Sequence, residues 1–154
     1  MANIHEQLYQ SHSFSNLSFD QGLQTLVRTI LDTMDHNLGI QTTFELEPIE
    51  LNIKQAIPCS LIVNEVITNS LKHAFSNQSD PKIAISLSNN AGNIFMQIKD
   101  NGSGFKEKQT GRTSLGMELI STLALQLDAD YKYESRKDDS GTVFELKFSE
   151  LSAL

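Results

Sequence analysis

Two short runs in this chain restrict its fold more than anything else in it. The first, Asn64-Glu65-Val66-Ile67-Thr68-Asn69-Ser70-Leu71-Lys72-His73-Ala74-Phe75, sets a carboxylate, an amide and an amine along one side of an otherwise apolar helix. The second, Asp100-Asn101-Gly102-Ser103-Gly104, ends a strand in an acid and turns at once through two glycines. A fold that uses both must bring one helix face against one strand end. A magnesium–nucleotide site needs that pairing: a polar row for metal and phosphates, and a shaped acidic pocket for a base.

Hydrophobic spacing supplies the scaffold. Ser18-Phe19-Asp20-Gln21 reads as a capping-box start. Phe19, Leu23, Leu26, Val27, Ile30 and Leu31 then recur at three- and four-residue spacing, which predicts an amphipathic helix over 19–35. Residues 40–46 and 50–55 alternate around Pro48 and read as a short strand pair. A second helix is predicted over about 58–76, with Pro58 near its start and Leu61, Ile62, Val66, Leu71 and Phe75 serving the core.

Residues 82–88 and 93–99 form the next strand pair. A polar, glycine-containing loop over 101–113 leads to a helix over about 115–127, with Leu115, Leu119, Ile120, Leu123 and Leu127 on its apolar face. A hairpin of 130–136 and 142–148 follows. Strand pairs alternating with helices predict an α/β (α+β) two-layer sandwich: a mixed sheet of about five or more strands with helices on one face. Residues 1–17 read as a stub continuing from something upstream, 18–150 as one domain and 151–154 as its C-terminal end.

On the second helix Glu65, Asn69, Lys72 and His73 stand at i, i+4, i+7 and i+8, one face by helical arithmetic. The neutral Asn69 amide offers magnesium a hard oxygen, Lys72 can neutralise phosphate, and Glu65 can orient water or accept a proton. A solvated face with a Glu–Lys pair is the plainer reading. Asp100 can accept a hydrogen bond from an exocyclic amine, and Gly102 and Gly104 let a flat base or a phosphate approach the backbone. An ordinary Asp-Asn-Gly turn has the same look. Ser114-Leu115-Gly116-Met117 opens a helix whose free N–H groups can bind phosphate or simply be capped. Gly141-Thr142 leads the last strand, where the threonine hydroxyl can join a network around the acid. Asp100→Asn is expected to weaken adenine nucleotides while leaving the fold intact, because the residue stands at a strand end.

Composition narrows the field. The chain has 154 residues, 39% of them hydrophobic, and a net charge of −7. That is enough for one buried core, and the absence of any basic tract argues against nucleic acid or anionic lipid as a partner. No run approaches the roughly 18 apolar residues of a membrane span, and the N-terminus lacks a signal-peptide pattern. Cys59 is the single cysteine, which excludes an internal disulfide and a cysteine-based zinc site and fits a reducing, cytoplasmic setting. The lack of a Gly-x4-Gly-Lys-Ser/Thr run excludes a P-loop enzyme.

Taken in order, these motifs resemble the ATP-binding catalytic domain of sensor histidine kinases, members of the GHKL superfamily with gyrase and the heat-shock chaperones. Asn64-Glu65 through Asn69 to Lys72-His73 resembles the N-box, Asp100 to Gly104 the first glycine box, Ser114 to Met117 the second, and Gly141-Thr142 a further family position. The lead-in Ala56-Ile57-Pro58 through Leu61-Ile62-Val63 is similar to a short-lid subfamily that includes many light-regulated enzymes. The resemblance covers roughly residues 20–150 and implies the Bergerat sandwich.

It also implies roles. Asn69 becomes the magnesium ligand and Asp100 the adenine-specifying acid, with Lys72 and His73 near the phosphates. Gly102 and Gly104 shape the base pocket, Leu115 and Gly116 meet the phosphates, Thr142 joins the acid, and residues 105–113 form a short ATP lid with Lys106, Lys108 and Arg112. Glu65 activates water in ATP-hydrolysing relatives, whereas in kinases the matching acid assists the histidine or supports the metal. The implied reaction passes the γ-phosphoryl group of ATP to a histidine on a helical domain of the full-length kinase, with a response regulator downstream. No His-Arg-Val-Lys-Asn-Asn-like phosphoacceptor run is present. His5 stands in a segment similar to the tail of that hairpin's second helix, and His12 and His36 read as surface residues. Two alternatives stay open: a GHKL ATPase or anti-sigma-type serine kinase, and a degenerate phosphotransfer or docking scaffold.

Overall fold

The computed structural model describes residues 16–34, 39–74, 80–104, 115–136 and 141–151. The elements in chain order are β1 (Asn16–Ser18), α1 (Phe19–Met34), β2 (Gln41–Leu46), β3 (Glu50–Asn52), α2 (Ile53–Asn69), a π-helical turn (Ser70–Ala74), β4 (Lys82–Asn90), β5 (Asn93–Asp100), α3 (Leu115–Gln126), β6 (Asp130–Ser135) and β7 (Thr142–Ser149). Five strands form one mixed sheet in the order β2-β4-β5-β7-β6. β2 runs parallel to β4 and every other pairing in that sheet is antiparallel. This is the two-layer sandwich expected from the sequence.

Alternation along the central strands makes the sheet one-sided. Ile83, Ile85 and Leu87 of β4, Ile94, Met96 and Ile98 of β5, and Phe144, Leu146 and Phe148 of β7 are buried. They face a helical layer anchored by Phe19, Leu23, Val27 and Ile30 of α1, Ile62, Val63, Val66 and Ile67 of α2, and Ile120 and Leu123 of α3. Fully burying one such side chain contributes roughly 1.5–3 kcal/mol, so this shared face holds the layers in register.

Several local expectations change. Residues 40–46 and 50–55 do not pair with each other: β3 pairs antiparallel with β1, while β2 pairs in parallel with β4. A parallel partner lies far away in sequence, so local alternation carries no trace of it. The second helix begins at Ile53, with Asn52 as N-cap accepting the Lys54 N–H at 2.9 Å, and Pro58 therefore lies inside it. The start of α1 is tied across rather than locally boxed, because Asp20 Oδ1 accepts the Ile49 N–H at 3.1 Å.

The apolar faces also differ. Leu61 is 46% exposed, and on α3 Leu115 is 84% and Leu119 42% exposed, while Ile120, Leu123 and Leu127 are buried as expected. Helix 3 meets the sandwich along a narrower stripe than its leucine content suggests. Phe75, the loop 105–113 with Lys106, Lys108 and Arg112, and His5, His12 and His36 lie outside the described residues.

Candidate functional site

Strand β5 runs through the middle of the sheet and ends at Asp100, whose neighbours across the ladders are Ile83 at the start of β4 and, through Lys99, Val143 at the start of β7. The end of α2 passes over this point. The acid is only 2% exposed, so it is part of the core's edge and not a free strand terminus.

A buried carboxylate has to be satisfied by donors, and the sequence provides them from three segments. Asp100 Oδ1 accepts the N–H of Gly102 at 3.0 Å and the N–H of Thr142 at 3.0 Å. Asp100 Oδ2 accepts the Ser70 hydroxyl at 2.7 Å and the Thr142 hydroxyl at 2.5 Å. One side chain thereby ties the helix end, the glycine-rich turn and the last strand together. Charge-assisted bonds of this kind contribute about 1.5–3 kcal/mol each. What is corrected here is the premise behind a fold-neutral Asp100→Asn, that the acid lies outside the core: it is buried, and an amide would lose the charge of these bonds and oblige the Ser70 and Thr142 hydroxyls to turn and accept.

Glycine is required at two places around this acid. Gly141 has φ +126°, and a Cβ on it would lie 2.0 Å from the Asp100 carbonyl oxygen, against backbone that has nowhere to go. Gly104 turns at φ +75°, with its Cβ position 3.1 Å from the Gly141 carbonyl oxygen. Left-handed backbone at these points is cheap only for glycine.

On α2 Glu65 and Asn69 stand one turn apart, and both are half-buried. The chain then passes into the π-helical turn Ser70–Ala74. The extra residue per turn breaks α-helical phase, so spacing no longer sets Lys72 and His73 beside Glu65. Lys72 is exposed, and the His73 side chain lies outside the described residues. The same break buries Ser70, at 3% exposure, and gives its hydroxyl to Asp100.

Across from Glu65 is the first turn of α3. Gly116 is half-buried, and a Cβ there would lie 2.0 Å from Glu65 Oε1. Leu115 is the first residue of α3 and points largely to solvent. Tyr133, on the edge strand β6, completes the group. Burial, and with it the charges of Asp100 and Glu65, push its hydroxyl pKa up to about 12 against an opposing influence of the Asn69 side chain.

Two of these residues were not legible as site residues. Ser70 hides inside the polar-apolar alternation of the helix, where only a hydroxyl next to Asn69 hints at it. Tyr133 carries the ordinary period-two pattern of a strand.

The donor chemistry suits a magnesium–nucleotide ligand. Among the described residues no group of three or more His, Cys, Asp or Glu could hold a metal ion. Magnesium commonly takes one or two protein oxygens and completes its shell with phosphate and water, which Asn69 and Glu65 can serve. Gly116 leaves to the Glu65 carboxylate the space a side chain would fill.

Fold and site together define an ATPase-type domain built on a two-layer sandwich. Residues 54–152 match the family described as histidine kinase-, DNA gyrase B-, and HSP90-like ATPase, and the chain belongs to that family. It is 25% identical over 130 residues to the Sensor protein VraS of Staphylococcus epidermidis, covering 83% of this chain and 35% of that protein. It is 31% identical over 86 residues to the Sensor protein VraS of Staphylococcus haemolyticus, covering 56% of this chain and 23% of the relative. The chain thus spans about a third or less of these relatives.

Among solved structures, the histidine kinase domain of the Erythrobacter litoralis EL346 blue-light activated histidine kinase superposes with a TM-score of 0.77 at 20% identity, over 87% of this chain and 62% of that one. The Mycobacterial sensor histidine kinase MprB gives 0.68 at 13% identity, over 88% and 96%. The resemblance to sensor histidine kinases read from the motifs is borne out in family and in fold. No helix among the described residues is long and apolar enough to cross a membrane.

Proposed function

We propose that this chain is the ATP-binding catalytic domain of a two-component sensor histidine kinase. In this reading it passes the γ-phosphoryl group of ATP to a histidine on a helical domain of the same full-length kinase, with a response regulator downstream. The family match and the relatives' designation as sensor proteins support it. The observation that carries it is Asp100, a buried acid held by four donors at the end of β5 beside Asn69.

The residues divide the work by chemistry. Asp100 accepts the adenine amino group, and because its oxygens already hold four donors, the Ser70 or Thr142 hydroxyl must rotate away to make room. Gly102 and Gly104 keep the base pocket free of side chains. Asn69 provides the protein oxygen for magnesium, which when bound with ATP neutralises phosphate charge and fixes the phosphate oxygens for in-line transfer. The first turn of α3 at Leu115 and Gly116 presents backbone N–H groups to the phosphates, and the exposed Lys72 ammonium supplies positive charge toward them. Glu65 orients the acceptor or the metal's water shell. The domain works in the cytoplasm.

Incubating the chain with the separately produced helical domain of its kinase and γ-labelled ATP tests this. The reading expects an acid-labile, alkali-stable phosphoryl group on that partner, dependent on Asn69. Phosphate release without transfer, or label on a serine, would instead favour the ATPase or serine-kinase alternative.

A further inference from the structure

A strand that leaves a sheet abandons backbone groups on the neighbour it was pairing with, and those groups need new partners. Strand β5 leaves the sheet at Asp100, in the middle of the candidate site, and β4 beside it starts at Lys82. The ladder's last pair is Ile83 with Asp100, so a continuing strand would next set Asn101 opposite Lys82. A hydrogen-bonded antiparallel pair exchanges two N–H···O bonds.

Asn101 keeps one of these bonds and replaces the other. Its backbone N–H donates to the Lys82 carbonyl at 3.2 Å, as a strand residue's would. The Lys82 N–H donates instead to the Asn101 side chain, reaching Oδ1 at 2.7 Å. Nδ2 of the same carboxamide donates to the Asp80 carbonyl at 2.8 Å, which settles the way the amide faces. The side chain thus stands in for the next strand carbonyl, and the main chain is released to turn.

The turn delivers the Gly102 N–H, which is buried and donates to Asp100 Oδ1 at 3.0 Å. The Thr142 N–H meets the same oxygen at 3.0 Å. Both are backbone donors and cannot rotate away, whereas the two donors on Oδ2 are the Ser70 and Thr142 hydroxyls, which can. Oδ1 is therefore the fixed end of the carboxylate, and Oδ2 the end open to exchange. The planar peptide that carries the Gly102 N–H begins at Asn101, whose side chain is clamped at both ends.

We propose that Asn101 is a positioning residue for base recognition. By replacing a strand carbonyl on β4, it aims the Gly102 N–H at Asp100 Oδ1 and so holds Oδ2 toward the adenine amine. The inference rests on the reading of Asp100 as the adenine acceptor.

The test is Asn101→Ala beside wild type, with every reading taken well below the melting temperature. Amide exchange is followed by NMR at Gly102 and Thr142, and ADP affinity by calorimetry in EDTA and in magnesium. The proposal expects the Gly102 amide to exchange about tenfold faster while Thr142 keeps its wild-type rate. ADP affinity should fall about tenfold in both buffers, the scale of one hydrogen bond, so the gain from magnesium is unchanged. Should Asn101→Ala fail to fold, Asn101→Asp carries the same readings, with shifts in the same direction. It keeps an acceptor for the Lys82 N–H and gives up only the bond to Asp80.

Wild-type ADP affinity in the folded variant overturns the proposal and leaves the Asp100 reading standing. Equal acceleration at Gly102 and Thr142 marks a general loss of stability and overturns it too. A wild-type chain that binds GDP as tightly as ADP removes the Asp100 reading, and the role of Asn101 with it.

Discussion

A Cβ on Gly116 would fall 2.0 Å from Glu65 Oε1, so the first turn of α3 and the acid of α2 share one space. The obstacle is the tip of a flexible side chain. At Gly141 the corresponding obstacle is the Asp100 carbonyl, which is backbone. The two glycines therefore predict opposite outcomes.

Gly116→Ala should fold with stability within about 1 kcal/mol of wild type, because alanine suits a helix and Glu65 can swing aside. Nucleotide binding should fall, since the acid has moved. Gly141→Ala should lose about 2–4 kcal/mol, combining positive φ with a backbone clash. Urea titration with ADP binding separates them; the reverse order of stabilities would contradict this packing.

Ser70→Ala removes one of four donors from a buried carboxylate and should destabilise the chain by about 1.5–3 kcal/mol. It should not weaken ADP, because the freed position on Oδ2 is the one an adenine amine would take. Asp100→Asn should lose both stability and adenine affinity. Melting curves with and without ADP decide; a Ser70→Ala chain that melts as wild type but binds ADP tenfold more weakly would put Ser70 on the ligand instead.

Much of this was legible in advance, and the failures have physical causes. Helix α1, the β4–β5 and β6–β7 pairs and the acid at the end of β5 follow from local period and turn chemistry, which residues close in sequence decide. The β2–β4 pairing depends on residues about forty positions apart, and no local pattern encodes it. Pro58 suggested a helix start because proline favours first turns, yet the Asn52 cap and the buried face of α2 outweighed its lost hydrogen bond. The row Glu65, Asn69, Lys72 was drawn on an unbroken α-helix, and the π-turn at Ser70 is invisible to that arithmetic. Tyr133 reaches the site only through the sheet register.

Cys59 is fully buried, and desolvation raises its thiol pKa from 9.0 to about 12. The native chain should resist iodoacetamide at pH 8 and label fully in urea. The folded pKa is raised, so this group's contribution is complete below pH 9.0 and is lost as pH climbs toward about 12. Tyr133, raised from 10.0 to about 12, acts in the same direction. Alkaline unfolding should therefore steepen over that window and become shallower in Cys59→Ala. Rapid native labelling would show the thiol to be accessible.

Gln55, 4% exposed, donates from Nε2 to the Ser149 carbonyl at 2.8 Å and accepts the Leu151 N–H at Oε1 at 2.9 Å. It pins the start of α2 to the end of β7. Gln55→Leu should cost about 1–3 kcal/mol by leaving those backbone groups without this partner, with ADP affinity unchanged in the folded protein. Chemical denaturation beside ADP calorimetry checks both halves.

The most direct measurement is a thermal shift of the wild-type chain with ATP, ADP and GTP, each with magnesium and with EDTA. Ligand at about 100 times its dissociation constant adds about 2.7 kcal/mol, an easily visible rise in midpoint. The account predicts a rise with the adenine nucleotides, larger with magnesium, and little with GTP. An equal rise with GTP, or none with any nucleotide at millimolar concentration, would contradict it.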